Sequence, residues 1–161
     1  AQVQVRDPAR LAFVTQTTLS VDDTSEIVAA LQARFPAIIG PHKEDICYAT
    51  TNRQAAVKSL ADECEAMIVL GAPNSSNSNR LAEVALTIGC PKSALIQRVA
   101  EMEDGWLDGV STLGVTAGAS APEILVQELI DTLSEEFAVT VEERNIIDEN
   151  VTFSLPRALS T

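Results

Sequence analysis

Short apolar runs alternate with amphipathic helical stripes along this sequence, and no other feature restricts its fold as much. LAFVT (residues 11–15), AMIVLG (66–71), SALIQ (93–97) and TLGVTAG (112–118) have strand length and are uniformly apolar, as buried strands of a parallel sheet are. AVTVEE (138–143) and VTFSLP (151–156) read as two later strands. Between the runs lie four stripes at helical spacing: Ile27, Val28, Leu31 and Phe35; Ala56, Val57, Leu60, Ala61 and Cys64; Leu81, Ala82, Ala85 and Leu86; Leu125, Val126, Leu129, Ile130 and Leu133. The alternation predicts an α/β fold with right-handed crossovers.

Local signals refine the boundaries. Ser20 with Asp23, Thr51 with Gln54 and Ser120 with Glu123 have the spacing of capping boxes, Pro122 suits a first helical turn and Gly89 suits a C-cap. Pro36, Gly40 and Pro41 separate the first helix from the second. The predicted organisation is a partial α/β lobe over residues 1–44, a complete α/β lobe over 45–139 and C-terminal strands or tail over 140–161. The first of these supplies one strand and one helix, too few to cover an apolar face.

The net charge of −12 disfavours nucleic acid and anionic membrane surfaces as partners. No apolar stretch reaches the roughly 20 residues of a membrane span and the first residues lack a signal-peptide layout, so the cytoplasm is expected. Three cysteines without CxxC spacing suit reduced thiols better than disulfides or a zinc knuckle. The start at Ala1, without Met and almost directly on a strand, reads as a processed product or a fragment.

The polar row Asn74, Ser75, Ser76, Asn77, Ser78, Asn79 directly follows an apolar run. A cap needs one such residue, so the excess predicts a ligand rich in oxygens. In open parallel sheets ligands settle beyond the strand carboxyl ends, where helix N-termini present free N–H groups. Thr17 and Thr18, residues 50–52 and residues 116–120 occupy equivalent junctions, so a phosphate or diphosphate is the expected guest, with Arg53 and Arg80 one turn away to add charge. GxGxxG, GxxxxGK[ST] and GxSxG motifs are missing. His42 reads as surface, Cys64 as core and Cys90, in a loop beside Pro91, as incidental. Cys47 differs: it falls at a strand-to-helix turn facing the same cradle, where helix N-termini favour thiolates, and one soft ligand there suggests a metal cluster.

FVTQTTLSVDDTSEIV, DICYATTNRQAAV, NSSNSNRLAE and GVTAGASAPEILVQE, in this order, resemble the C-terminal half of the LytB/IspH family, the hydroxymethylbutenyl diphosphate reductases of the non-mevalonate isoprenoid pathway. The resemblance implies a three-lobed α/β iron-sulfur enzyme that reductively removes a hydroxyl from an allylic diphosphate, giving isopentenyl and dimethylallyl diphosphates. It implies Cys47 as one of three ligands to a 4Fe-4S cluster, Ser75, Ser76, Asn77 and Ser120 as diphosphate-binding groups, and Thr17 as the catalytic threonine near the substrate hydroxyl. A reduced ferredoxin- or flavodoxin-type protein is the implied electron donor. The other two cysteine ligands, three histidines and a proton-donating glutamate belong to the N-terminal half of that family, so these residues alone are expected to be inactive. The alternative is a non-catalytic module that binds diphosphate or other anions.

Overall fold

In a computed structural model of the chain, residues 3–41 and 45–147 are described. His42 and the expected strand 151–156 lie outside them. Helix α1 spans Val21–Arg34 and α2 spans Tyr48–Ala61; β1 (Ala66–Leu70), α3 (Ser76–Ile88), β2 (Ser93–Ile96), β3 (Leu113–Ala117) and α4 (Ile124–Glu136) follow, with a 3-10 turn at Val99–Glu101 between β2 and β3.

The strands form a parallel sheet in the order β2-β1-β3, with Val69 opposite Leu95 on one side and Thr116 on the other. Central β1 is buried at every position because both faces are covered. Met67 and Val69 point into a core with Val57 and Ala61 of α2 and Leu81, Val84 and Ala85 of α3. Ile68 and Leu70 point the other way, to Ile96 and to Leu129 and Leu133 of α4, under Met102 and Trp106. Each such side chain, withdrawn fully from water, stabilises the fold by about 1.5–3 kcal/mol. Edge strand β2 is only partly buried, which leaves the polar ends of SALIQ tolerable there.

The right-handed rule fixes which face each connection takes. β1 connects to β2 on one side of it through α3, while β2 connects to β3 back across β1, so the two crossovers fall on opposite faces. The carboxyl ends of β1 and β3 lead to helices on opposite faces, α3 packing in the first core and α4 in the second. The crevice between these two ends is a topological switch point.

Two expected strands do not form among the described residues. LAFVT makes one parallel bridge, Ala12 with Ile39, because no third strand lies beside it. AVTVEE is irregular and exposed: its apolar residues have no sheet edge to join. Helix α1 forms, with Ser20 Oγ accepting from Asp23 N–H at 3.2 Å, but none of its residues is buried and Ile27 is 60 % exposed. Instead its start is docked by polar contacts, including Lys58 to Asp22 at 2.6 Å.

Candidate functional site

Three helix starts and one loop meet beyond the carboxyl ends of β1 and β3. Ser75 caps α3: its Oγ accepts from Ser78 N–H at 3.3 Å and from Ser78 Oγ at 2.9 Å. Both lone pairs of that hydroxyl are thus engaged, which leaves it the role of donor to any further partner. Asn79 Nδ2 ties the loop to Pro73 O at 2.8 Å and Ser75 O at 2.9 Å. Ser75, Ser78 and Asn79 therefore shape the loop, and the polar excess reduces to Asn74, Ser76 and Asn77.

Asn77 is the anomaly. Its side chain is buried at 7 % exposure, yet neither Oδ1 nor Nδ2 has a hydrogen-bond partner among the described residues. A buried amide left so costs about 1–3 kcal/mol, and such groups in native proteins almost always find a partner in protein, water or a bound ligand. Two glycines bring the strand ends onto it. A Cβ on Gly71, just past β1, or on Gly118, just past β3, would collide with Ser78 Oγ, and the Gly118 position lies 3.8 Å from Asn77 Nδ2. Gly118 N–H donates to Leu70 O at 2.8 Å, which fixes this approach.

The N-terminal piece reaches the same place. Thr18 Oγ1 and Ser76 Oγ share a hydrogen bond of 2.8 Å, and Cys47 N–H donates to Thr17 O at 3.1 Å. Thr17, Cys47, Ser75, Ser76 and Asn77 are thereby linked into one neighbourhood. Ser120 stands in the turn that Ala121 N–H closes on Gly118 O at 2.9 Å, two residues from the contact with Asn77.

The electrostatics differ from helix to helix. α1 carries Asp22 and Asp23 in its first turn, so its positive end is already offset, whereas α2 and α3 have no acidic residue there. Their N-termini remain favourable for an anion. Of the two arginines, Arg80 has its charge offset by carboxylates, while Arg53 turns one N–H back on its own helix and keeps its charge. Arg80 pairs with Glu83 at 2.7 Å and lies 3.8 Å from Asp23, and Arg53 donates back to Ala49 O at 3.3 Å. Most of the groups gathered at this place are neutral donors and helix ends.

Three local readings are corrected. Thr51 is no cap: Thr50 and Thr51 N–H both bond Cys47 O, so α2 starts at Tyr48 with Cys47 as its N-cap, and Gln54 is engaged elsewhere. Ser120 is no cap either, since α4 starts at Ile124 behind Glu123 without a side-chain bond, and Pro122 precedes its first turn. Cys90 is not a loop bystander but buried in the core shared with Cys64, its Sγ donating to Lys92 O at 3.2 Å. Gly89 does end α3, at φ 124°.

The family model described as LytB protein matches residues 1–134. The chain belongs to the LytB family. It is 62 % identical over 159 residues to the 4-hydroxy-3-methylbut-2-enyl diphosphate reductase of Ruegeria pomeroyi, covering 99 % of this chain and 50 % of that protein. It is 57 % identical to the reductase of the same name from Pseudomonas syringae, again over 99 % of the chain and 50 % of the relative. Among solved structures, the E-1-hydroxy-2-methyl-but-2-enyl-4-diphosphate reductase of Plasmodium falciparum superposes with TM-score 0.89 at 34 % identity, covering 96 % of this chain and 50 % of that one. The chain thus spans about half the length of the LytB relatives it matches.

A four-iron cluster asks for several thiolates, commonly four. Cys47 is exposed at the N-cap of α2 with no side-chain cap bond, as an outward-facing ligand would be. Cys64 and Cys90 lie buried at the opposite end of the sheet, and the 14 residues of α2 alone separate that end from Cys47 by about 20 Å. Burial, then neighbouring Cys90 and Glu63, push the Cys64 thiol up, which opposes ligation. Among the described residues no three His, Cys, Asp or Glu side chains gather to hold a metal. The residues fit one ligand of such a cluster, at Cys47.

Sequence patterns alone gave Gly71 and Gly118 no role of their own and gave Gln54 only the partnership with Thr51 that the structure corrects. The glycines end apolar runs at the same junctions as the polar row. Gln54 stands in phase with buried Val57 and Ala61, a polar residue on an apolar stripe.

Proposed function

We propose that this chain is the C-terminal half of a hydroxymethylbutenyl diphosphate reductase, which reductively dehydroxylates an allylic diphosphate, and that it contributes the diphosphate cradle and one cluster thiolate. The unpartnered buried amide of Asn77, at the N-terminus of α3 and the switch point of the sheet, is the observation that carries this reading. An anion there would take hydrogen bonds from Asn77 Nδ2, from the hydroxyl of Ser75, from Ser76 and from Ser120. Charge-assisted bonds of this kind are roughly twice as strong as neutral ones, so neutral donors suffice on an acidic protein.

Cys47 would ligate a 4Fe-4S cluster, which when bound supplies single electrons and a Lewis-acidic iron for the leaving hydroxyl. Thr17, tied to Cys47 through its carbonyl, would present its hydroxyl to that end of the substrate while Ser76 and Asn77 hold the other. The remaining ligands and the proton donor would come from the other half of the reductase, and the 161-residue chain alone would not turn over. A reduced ferredoxin- or flavodoxin-type protein would deliver electrons, in the cytoplasm. Among the described residues no helix is long and apolar enough to cross a membrane.

Asn77→Leu tests the cradle, because it replaces the orphaned amide by an apolar group of similar shape. Unfolding stability without ligand should rise by about 1–3 kcal/mol, while affinity for the substrate, read by isothermal titration of the full-length reductase, should fall roughly tenfold or more. Lower stability with undiminished affinity would refute the cradle.

A further inference from the structure

We propose that Gln54 is a positioning residue, a side-chain latch that sets the loop of residues 17–21 in register with α2 and so places Thr17 and Thr18; the catalytic consequence rests on the proposed diphosphate site. Gln54 is 1 % exposed, and both working atoms of its amide are given to this one loop. Oε1 accepts from Val21 N–H at 3.0 Å and Nε2 donates to Leu19 O at 2.8 Å, straddling buried Ser20. Cys47 lies seven residues earlier, two turns back on the same face of α2, and its N–H holds Thr17 O at 3.1 Å. The helix thus grips the loop at two points, and Thr18 Oγ1 then meets Ser76 Oγ at 2.8 Å.

An apolar residue would pack this stripe more simply, in phase with Val57 and Ala61. Glutamine adds direction instead. Its donor and acceptor match one backbone segment in one orientation, so the loop start, the Ser20 cap and the axis of α1 are set together. Displacing a reacting group by about 1 Å can lower a rate 100-fold.

The test uses the full-length reductase containing this segment, with kcat and KM for the allylic diphosphate measured for Thr17→Ala, Gln54→Leu and the double variant. Gln54→Leu should lower kcat by about 10-fold to 100-fold with KM changed far less, and should add little in the Thr17→Ala background, because it acts through that residue. Gln54→Glu, which keeps the acceptor for Val21 and loses the donor to Leu19, should fall between; should the leucine variant not fold, this one decides by the same cycle. An unchanged kcat, or equal losses with and without Thr17, overturns the latch. A silent Thr17→Ala sinks the site reading instead, and then amide exchange over residues 17–21 decides: faster exchange in the Gln54 variant upholds the latch, unchanged exchange overturns it.

Discussion

The segment 11–40 and the segment 66–117 carry the same local instructions, yet only the second becomes a sheet. Both contain apolar runs of strand length, a well-marked helix start and a helical stripe. β1 has a strand on each side and a helical layer on each face, and all five of its residues are buried. LAFVT has one bridge, to Ile39, and α1 buries none of its 14 residues. Propensity chooses the local conformation, but neighbours decide whether a run is a strand and whether a stripe is a core. The N-terminal piece is anchored by polar contacts to α2 and α3, through Gln54, Lys58 and Ser76, and it is those contacts that bring Thr17 to Cys47.

The largest effect should separate the two segments directly. Ile68→Ala, at a position fully buried in β1, should cost about 2–5 kcal/mol by denaturant unfolding. Ile27→Ala, on the exposed face of α1, should stay within about 0.5 kcal/mol. Equal losses would mean that α1 is packed after all and would dissolve the contrast.

Next comes the seam between β1, β3 and α3. Gly71→Ala and Gly118→Ala should each destabilise by about 1–3 kcal/mol, because the new methyl meets Ser78 Oγ. Adding Ser78→Ala should rescue Gly118→Ala, whose methyl would then sit 3.3 Å from the Ser78 Cβ, better than Gly71→Ala, where the separation is 2.7 Å. Equal rescue of both would show that the strand ends do not close on α3 as described.

The two ends of the sheet should also differ in thiol access. With a disulfide-exchange reagent, the native chain should release one equivalent quickly, from exposed Cys47, and all three only on denaturation, since Cys64 and Cys90 are buried. Fast reaction of a second thiol would bring Cys64 or Cys90 out of the core.

Legibility in the sequence divides along the same line. β1 announced itself because burial on both faces selects a uniformly apolar run, and β2 and β3, partly buried on either side of it, stay apolar enough to read the same way. LAFVT made the same announcement without the neighbours to honour it. Capping boxes were a poorer guide. Ser20 caps because its helix starts where the spacing says, but Thr51 and Ser120 share the spacing while the backbone turns elsewhere, since four residues do not encode where an apolar stripe must begin. Ser75, Ser76 and Asn77 stood out because the polar row is longer than a cap needs. Only the folded chain divides the row into residues that bond each other and an Asn77 whose amide finds no partner among the described residues. Gln54 was hidden because its partners are backbone atoms more than 30 positions away.

The smallest effect lies at the amino end of the sheet, away from the cradle. Exposed Glu65 accepts hydrogen bonds from Ser111 N–H and from Thr112 N–H, the latter at 3.1 Å, and its own N–H donates to Thr112 O at 3.0 Å, stitching the start of β3 to β1. The two backbone donors hold its carboxyl below the usual carboxylate range, with Lys92 adding to them. A folded-state value that is depressed contributes stability that is present above the unfolded value, about 4.3, and lost as pH falls through the folded one. The stability advantage of the native chain over Glu65→Gln should therefore shrink as the pH is lowered from about 5 to 3, read as urea midpoints. Binding at the proposed cradle should not change, because the stitch and that cradle sit at opposite ends of the same strands. An advantage that grew on acidification would have the wrong sign for a carboxylate stabilised by backbone donors, and would place the anchor of β3 elsewhere.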